Sequence, residues 1–360
     1  MADNNISRRT KDMFLCILLT AAAAGTAVFT GEISAGVREA VLRCVNVLIP
    51  SLFAFMAVSD MLIKSGGLRI ISKSLRPIAR YIFNCPEELF MVFFISSAAG
   101  YPLGIKLLSD MLERGETDTR TAEKAACFCY CGGPAFYSGA IGLAVFDNTS
   151  VGKLIYVSVM FSNIIIALLV CRTSKLSVIK KQTPASDGNI LIDSVKSAGK
   201  SMGMICMTVV LFAALMAIAD ASGLFAWIQH SFGLSDNEMI LLRSVIEITS
   251  LTELKGCPFV LLPLISAVCS FGGVCIIMQL YALKNTKLSM LVFWKIRLPS
   301  AVLSAFVCRL LRPYIVGDAV CVISNNQPLL KIDNFAASIC MILMIFLLNY
   351  KKSLVFCKRV

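Results

Sequence analysis

The sequence predicts an all-α polytopic membrane protein made of two inverted repeats, each with a re-entrant hairpin and a broken transmembrane helix. Three observations lead there. The chain has 360 residues, is 57% hydrophobic and has a mean hydropathy of +0.78, well above the roughly 45–50% apolar content of soluble domains. Small polar interruptions recur about 140 residues apart, at Cys129-Tyr130-Cys131-Gly132-Gly133 and at Cys269-Ser270-Phe271-Gly272-Gly273. Each is preceded by another polar break, Ser96-Ser97-Ala98-Ala99-Gly100-Tyr101-Pro102 in one half and Glu247-Ile248-Thr249-Ser250-Leu251-Thr252-Glu253 in the other. Paired, broken apolar segments in corresponding positions of two halves point to a transporter binding site. The third observation is where the positive charge falls, because it decides which segments cross.

Taken in order, Arg8, Arg9 and Lys11 precede an apolar run that reads as an uncleaved first span over 12–29. The run is longer than a signal-peptide core, and no small-x-small site follows it. Further spans of about 20 residues fit 40–63, 121–146, 151–171, 197–219, 258–282, 291–311 and 335–350. Two more apolar segments, 88–111 and 239–254, set the topology. If 88–111 crossed fully, the loop carrying Arg172, Lys175, Lys180, Lys181, Lys196 and Lys200 would lie outside, against the positive-inside bias. Read as hairpins, they bring the basic loops 64–80, 172–200, 284–297 and 351–359 to the cytoplasm together. An arm of eleven residues reaches about 16 Å, close to half of a ~30 Å hydrocarbon layer. The first hairpin then enters from inside and the second from outside, so the halves are related by inversion. The domains follow: an N-terminal helix over 1–34, a first repeat over 35–171, a basic cytoplasmic loop over 172–196, an inverted repeat over 197–313, and a C-terminal helix with a basic tail over 314–360. Segment 68–82 alternates Arg69, Lys73, Arg76 and Arg80 with isoleucine and leucine, as a helix lying in the cytoplasmic interface would. Segment 225–234, with Trp227 and Phe232, is its counterpart in the outer interface.

Non-helical backbone at membrane depth survives only where it is buried in protein or lines a wet cavity. Pro102 and Pro134 suit helix starts, Gly100 and Gly104 allow close backbone approach, and Ser250 with Glu253 has capping-box spacing. Helix starts at the bilayer centre aim free N–H groups at one region, which suits an anion. The expected substrate is a small organic anion. Its site gathers Ser96, Ser97, Gly100, Tyr101, Pro102 and Lys106 from the first tip and Cys131, Gly132, Gly133 and Pro134 from the first break. From the second half it takes Thr249, Ser250 and Thr252 at the tip, with Ser270, Gly272 and Gly273 at the break. Glu247 and Glu253 are the candidates for the coupling ion, because a carboxylate at this depth is expensive unless paired. The competing reading of each position is helix packing, with Lys106 snorkelling to the cytoplasmic face. Asp60 and Lys64, one turn apart, pair with each other; Asn163 and Gln279 bond between helices.

No cofactor or metal is expected. Cys127, Cys129 and Cys131 cannot converge on one ion from a helix, and the cysteines that sit in apolar runs behave as small hydrophobes. The lone His230 lies in a predicted loop outside the core, and no metal-protease or polyprenyl-type acidic motif is present, which disfavours an enzyme. The net charge of +12 sits in short loops, without the polar basic face that a nucleic-acid partner needs. The partners expected are the solute and membrane lipids, with homo-oligomerisation left open.

The run Ala99-Gly100-Tyr101-Pro102-Leu103-Gly104-Ile105-Lys106-Leu107-Leu108-Ser109-Asp110, then Glu123-Lys124-Ala125 and Phe128-Cys129-Tyr130-Cys131-Gly132-Gly133-Pro134-Ala135-Phe136, resembles the sporulation integral membrane protein YlbJ (SpoVV-like) family. That family carries the nucleoside-recognition, or Gate, domain and is distantly similar to concentrative nucleoside transporters. The resemblance covers roughly residues 35–313 and implies an endospore-forming bacterium. It also implies movement of dipicolinic acid, a planar dianion, by alternating access across a mother-cell-derived or outer forespore membrane. The family usually has a pair of Asn where this chain has Tyr130 and Cys131; if those amides contact substrate, specificity differs here. The alternatives are a nucleoside transporter and a non-transporting sporulation scaffold or signalling protein.

Overall fold

The computed structural model describes residues 19–179, 189–254 and 259–316, together with Met13, Cys16 and Ile17. The predicted span 335–350, the tail 351–359, the basic N-terminal residues and the middle of the loop 172–200 lie outside the described residues. Everything described is helical apart from turns and one isolated bridge between Thr117 and Val178.

Helix α1 (Leu19–Val28) leads into α2 (Thr30–Lys64), which starts ten residues before the predicted span. Its early turns hold Glu32, Ala35, Arg38 and Glu39, good helix formers that let it run on beyond the apolar stretch. Just before Pro50 the helix widens into a π-turn, Cys44–Leu48, where the proline supplies no N–H to the regular ladder. Helix α3 (Gly67–Phe83) meets α4 (Glu87–Ala99) at 100°. Asn84, in the left-handed region, and Pro86 make the corner. Exposed Lys73, Arg76 and Arg80 share α3 with exposed Ile70, Ile78 and Tyr81, the pattern of a helix in a membrane interface.

Helix α5 (Tyr101–Glu113) follows α4 after the single residue Gly100. A Cβ on Gly104 would lie 2.8 Å from that of Ser96. Eight residues of continuous helix would separate them by about 12 Å, so the chain doubles back at Gly100. Helix α6 (Thr119–Ala125) ends early. Residues 126–133 are non-helical, and α7 (Phe136–Phe146) resumes, so the predicted span 121–146 is interrupted in its middle. Helix α8 (Thr149–Thr173), capped by Asn148, completes the first half.

The second half repeats much of this order. Helix α9 (Ile190–Ala221) packs along α2, where a Cβ on Gly36 would meet Ala217 at 3.3 Å. Helices α10 (Leu224–Phe232) and α11 (Asp236–Ile246) follow, then the 3-10 turn Ile248–Glu253. A second broken span comes next, α12 (Leu262–Phe271) and α13 (Gly273–Leu283), and then α14 (Leu291–Ile315). Here the structure corrects three expectations. The capping box is built by Ser235 and Glu238 at the start of α11, not by Ser250 and Glu253. Where the sequence predicts a helical return arm of a second hairpin, the chain forms only the six-residue 3-10 stretch Ile248–Glu253. His230 lies on α10, exposed, and not in a loop.

In the most apolar window of 259–283, 78% of residues are buried, against 17% for α2 and 22% for α9. The broken span is therefore the core, and α2 with α9 forms an outer pair. Buried serines bolt α8, α12 and α14 together: Ser162 donates to the Ser300 carbonyl at 2.9 Å, Ser270 meets Ser300 at 3.0 Å and Ser266 meets Ser304 at 2.7 Å. Such hydroxyl pairs hold helices where lipid gives no hydrophobic drive.

At the entry to α6, outside the spans, burial disfavours the charged form of Asp118. Hydrogen bonds from Thr121 and Ser177 outweigh it and hold the carboxyl below its usual range. Asp118→Ala removes this cap and is expected to destabilise by about 1 kcal/mol in thermal unfolding. Because the folded-state pKa is depressed, the gap should persist at neutral pH and close as pH falls below about 4.

Candidate functional site

The interruptions in the helices come together. A Cβ on Gly100, at the first turn-back, would touch the Gly133 nitrogen at 3.3 Å. A Cβ on Gly273 would touch Ile246 O and Ile248 N, also at 3.3 Å. Thus Gly100 rests on the break of the first half, and the end of α11 rests on the break of the second broken span. The breaks also meet each other: Tyr130 donates its hydroxyl to Phe271 O at 3.0 Å, and a side chain at Gly272, whose φ is +88°, would overlap that hydroxyl.

Around this junction the tyrosines satisfy the loose backbone. Tyr101 donates to Cys269 O at 2.5 Å and meets Tyr137 at 2.8 Å, and the Gly132 N–H donates to the Tyr137 hydroxyl at 3.2 Å. Asn163 donates to Tyr130 O at 2.8 Å, the bond between segments expected of it. Gln279 does not follow suit; its amide lies 3.7 Å from Cys275 one turn back on the same helix. Cys127, Cys129 and Cys131 are buried free thiols in the non-helical stretch.

Several expected substrate donors are occupied. Ser96 and Ser97 both donate to Phe93 O, at 3.0 and 2.9 Å, because a serine in a buried helix turns its hydroxyl to the preceding turn. Ser270 belongs to the serine ladder. Lys106 sits 2.6 Å from Asp110 and 3.8 Å from Asp60, and Asp60 also pairs with Lys64 at 2.6 Å as expected. Lys106 is thus a neutralised strut between α5 and α2, neither a free charge nor a snorkel. Pro134 and Thr252 are not buried, and Pro102 is buried at the start of α5.

Arg297 is the residue the sequence misplaces most. The sequence reading has it both at the end of the basic loop 284–297 and inside the span 291–311; it is fully buried, 0% exposed, within α14. Its guanidinium donates to Cys127 O and lies 4.8 and 4.7 Å from the Tyr130 and Phe293 ring centroids. The available signal is its position well inside the helix, after Trp294 and before Pro299.

A cavity of about 500 Å³ opens beside the 3-10 stretch Ile248–Glu253, between α2 and α9. Thr249, Ser250, Glu247 and Glu253 line it, with Glu32, Glu39, Asp220, Arg43 and Arg243. Five carboxylates against two guanidiniums make the lining acidic. Arg43 donates to Thr249 at 2.8 Å, and Thr249 donates to Glu247, so Glu247 is held at the cavity wall. Glu253 is exposed, 3.9 Å from Arg243, which itself binds Asp220 at 2.6 Å. Sequence reasoning missed the α2 contribution, although Glu32, Gly36, Glu39 and Arg43 recur at helical spacing along one face.

Comparison with known proteins adds one relative. Over 123 residues the chain is 31% identical to the "Sporulation integral membrane protein YlbJ" of Bacillus subtilis (strain 168). The match covers 34% of this chain and 30% of that protein, so the chain spans less than a third of the relative. No family model matches, and no solved structure matches.

Proposed function

We propose that this protein is a secondary transporter of a small organic anion. Two inverted repeats, 35–171 and 197–313, would carry the solute between them by alternating access. The observation that supports this best is the matched contact of turn-back on break, Gly100 on Gly133 and Ile246–Ile248 on Gly273. Re-entrant elements resting on broken spans are how transporters bring helix ends to the bilayer centre. The outer pair α2–α9 would act as scaffold, with the serine-bolted core moving against it. The cavity at their seam would be the access path from the outer side.

An acidic path repels an anion, so the anion needs a companion. We assign Glu247 as the site where a coupling cation loads, ahead of the more exposed Glu253. Similarity to the sporulation protein supports a role in a sporulating bacterial cell, with dipicolinate as the first solute to test. One observation favours the scaffold alternative: the tip hydroxyls of Ser96 and Ser97 are spent within their own helix.

The test is uptake by the purified chain in proteoliposomes, with labelled dipicolinate and labelled uridine under imposed proton and sodium gradients. Dipicolinate accumulation driven by one gradient is expected. Zero flux of both solutes under every gradient would leave the scaffold reading standing. Glu247→Gln is expected to lower gradient-driven uptake by about tenfold or more while solute exchange persists. Equal loss of exchange would argue against a coupling role.

A further inference from the structure

An anion carried through the membrane interior needs a positive charge to meet it, and the charges on α5 do not supply one. Lys106 is neutralised by Asp110 and Asp60. Arg297 differs. It has no carboxylate within ion-pair distance among the described residues, and two of its three guanidinium nitrogens, Nε and Nη1, make no hydrogen bond there. A buried arginine with most of its donors unused is unfavourable unless something else answers the charge. The faces of two rings and one carbonyl answer it in part.

We propose that Arg297 is the charge that recognises the solute, and that the ligand class is a small carboxylate whose oxygens take the open guanidinium donors. This rests on the anion-transporter reading above. Tyr130 stacks on Arg297 and lies 4.9 Å, ring to ring, from Tyr101 at the first turn-back. Tyr101 is in turn fixed by its hydroxyl bonds to Cys269 and Tyr137. Arg297 is fully buried, so a solute reaches the guanidinium only when the segments around it move apart.

The experiment is equilibrium binding of labelled pyridine-2,6-dicarboxylate and of uridine to the full chain in lipid nanodiscs, alongside thermal unfolding. Arg297→Gln, which removes the charge and keeps a shorter amide donor, is expected to weaken dicarboxylate binding about 100-fold in protein that still folds. Arg297→Lys keeps the charge but loses the planar fork, and about tenfold weaker binding is expected. If Arg297→Gln does not fold, Arg297→Lys decides: wild-type affinity there overturns the proposal. Wild-type affinity in a folded Arg297→Gln overturns it as well. Both outcomes leave the transporter reading intact. Failure of the wild-type chain to bind dicarboxylate at all removes the anion reading, and this proposal with it.

Discussion

Gly104→Ala is expected to be among the most damaging single substitutions in this chain. The added methyl would overlap the carbonyl oxygen of Cys129 and approach the Ser96 Cβ to 2.8 Å. Neither neighbour can swing away as a long side chain would, because one is backbone and the other is fixed at its own Cα. Relief requires α5 to move off both α4 and the non-helical stretch, so the turn-back and the break separate together. Overpacking of this kind destabilises by about 3 kcal/mol or more when backbone must shift. The measurement is the thermal midpoint of the purified protein, with Gly199→Ala and Gly203→Ala as controls. Those glycines, on α9, have open space where a methyl would go, with nothing within 4 Å, and alanine there should be neutral or slightly stabilising. An unchanged midpoint for Gly104→Ala would mean that the two segments are not in contact in the membrane.

Lys106→Met is expected to produce the second large loss, and through stability instead of affinity. Lys106 is 4% exposed and bridges α5 to α2 through Asp110 and Asp60. Removing one member of a buried ion cluster leaves the others uncompensated, which is unfavourable by about 3–5 kcal/mol. Lys64 retains its bond to Asp60, so Asp110 bears most of the damage. Lys106→Met with Asp110→Asn should therefore recover a large part of the lost stability. A Lys106→Met protein that unfolds normally but transports poorly would instead return Lys106 to the substrate.

What the sequence discloses follows from how local each signal is. The breaks at Cys129–Gly133 and Cys269–Gly273 are legible because Gly-Gly inside an apolar run has few other uses, and the structure interrupts both spans there. Helix α3 is legible from its alternation of arginine with isoleucine, which leaves both kinds of residue exposed along it. The fate of Ser96, Ser97 and Lys106 is not, because a hydroxyl or ammonium finds its partner through packing, and Asp60 is 46 residues from Lys106. The 3-10 stretch after Glu247 is hidden for a similar reason: Ile248–Leu254 has the same polarity whether it winds as a 3-10 or as an α-helix. Arg297 is hidden because charge counting treats every basic residue near a span end as solvated. The acidic cavity needs α2 and α9 to be neighbours, which no pattern within either helix announces.

The serine seam sets a limit on how the protein can move. Ser266 faces Ser304 while Ser270 faces Ser300, so α12 and α14 run in opposite directions with two hydroxyl teeth meshed. Sliding one helix by a single turn would bring Ser270 opposite Ile296, or Ser266 opposite Cys308, and unmesh one tooth either way. Ser162 on α8 engages the same Ser300 and adds a third helix to the gear. Cogs of this sort resist creep, so α8, α12 and α14 are set to travel together as a cassette wherever one of them goes.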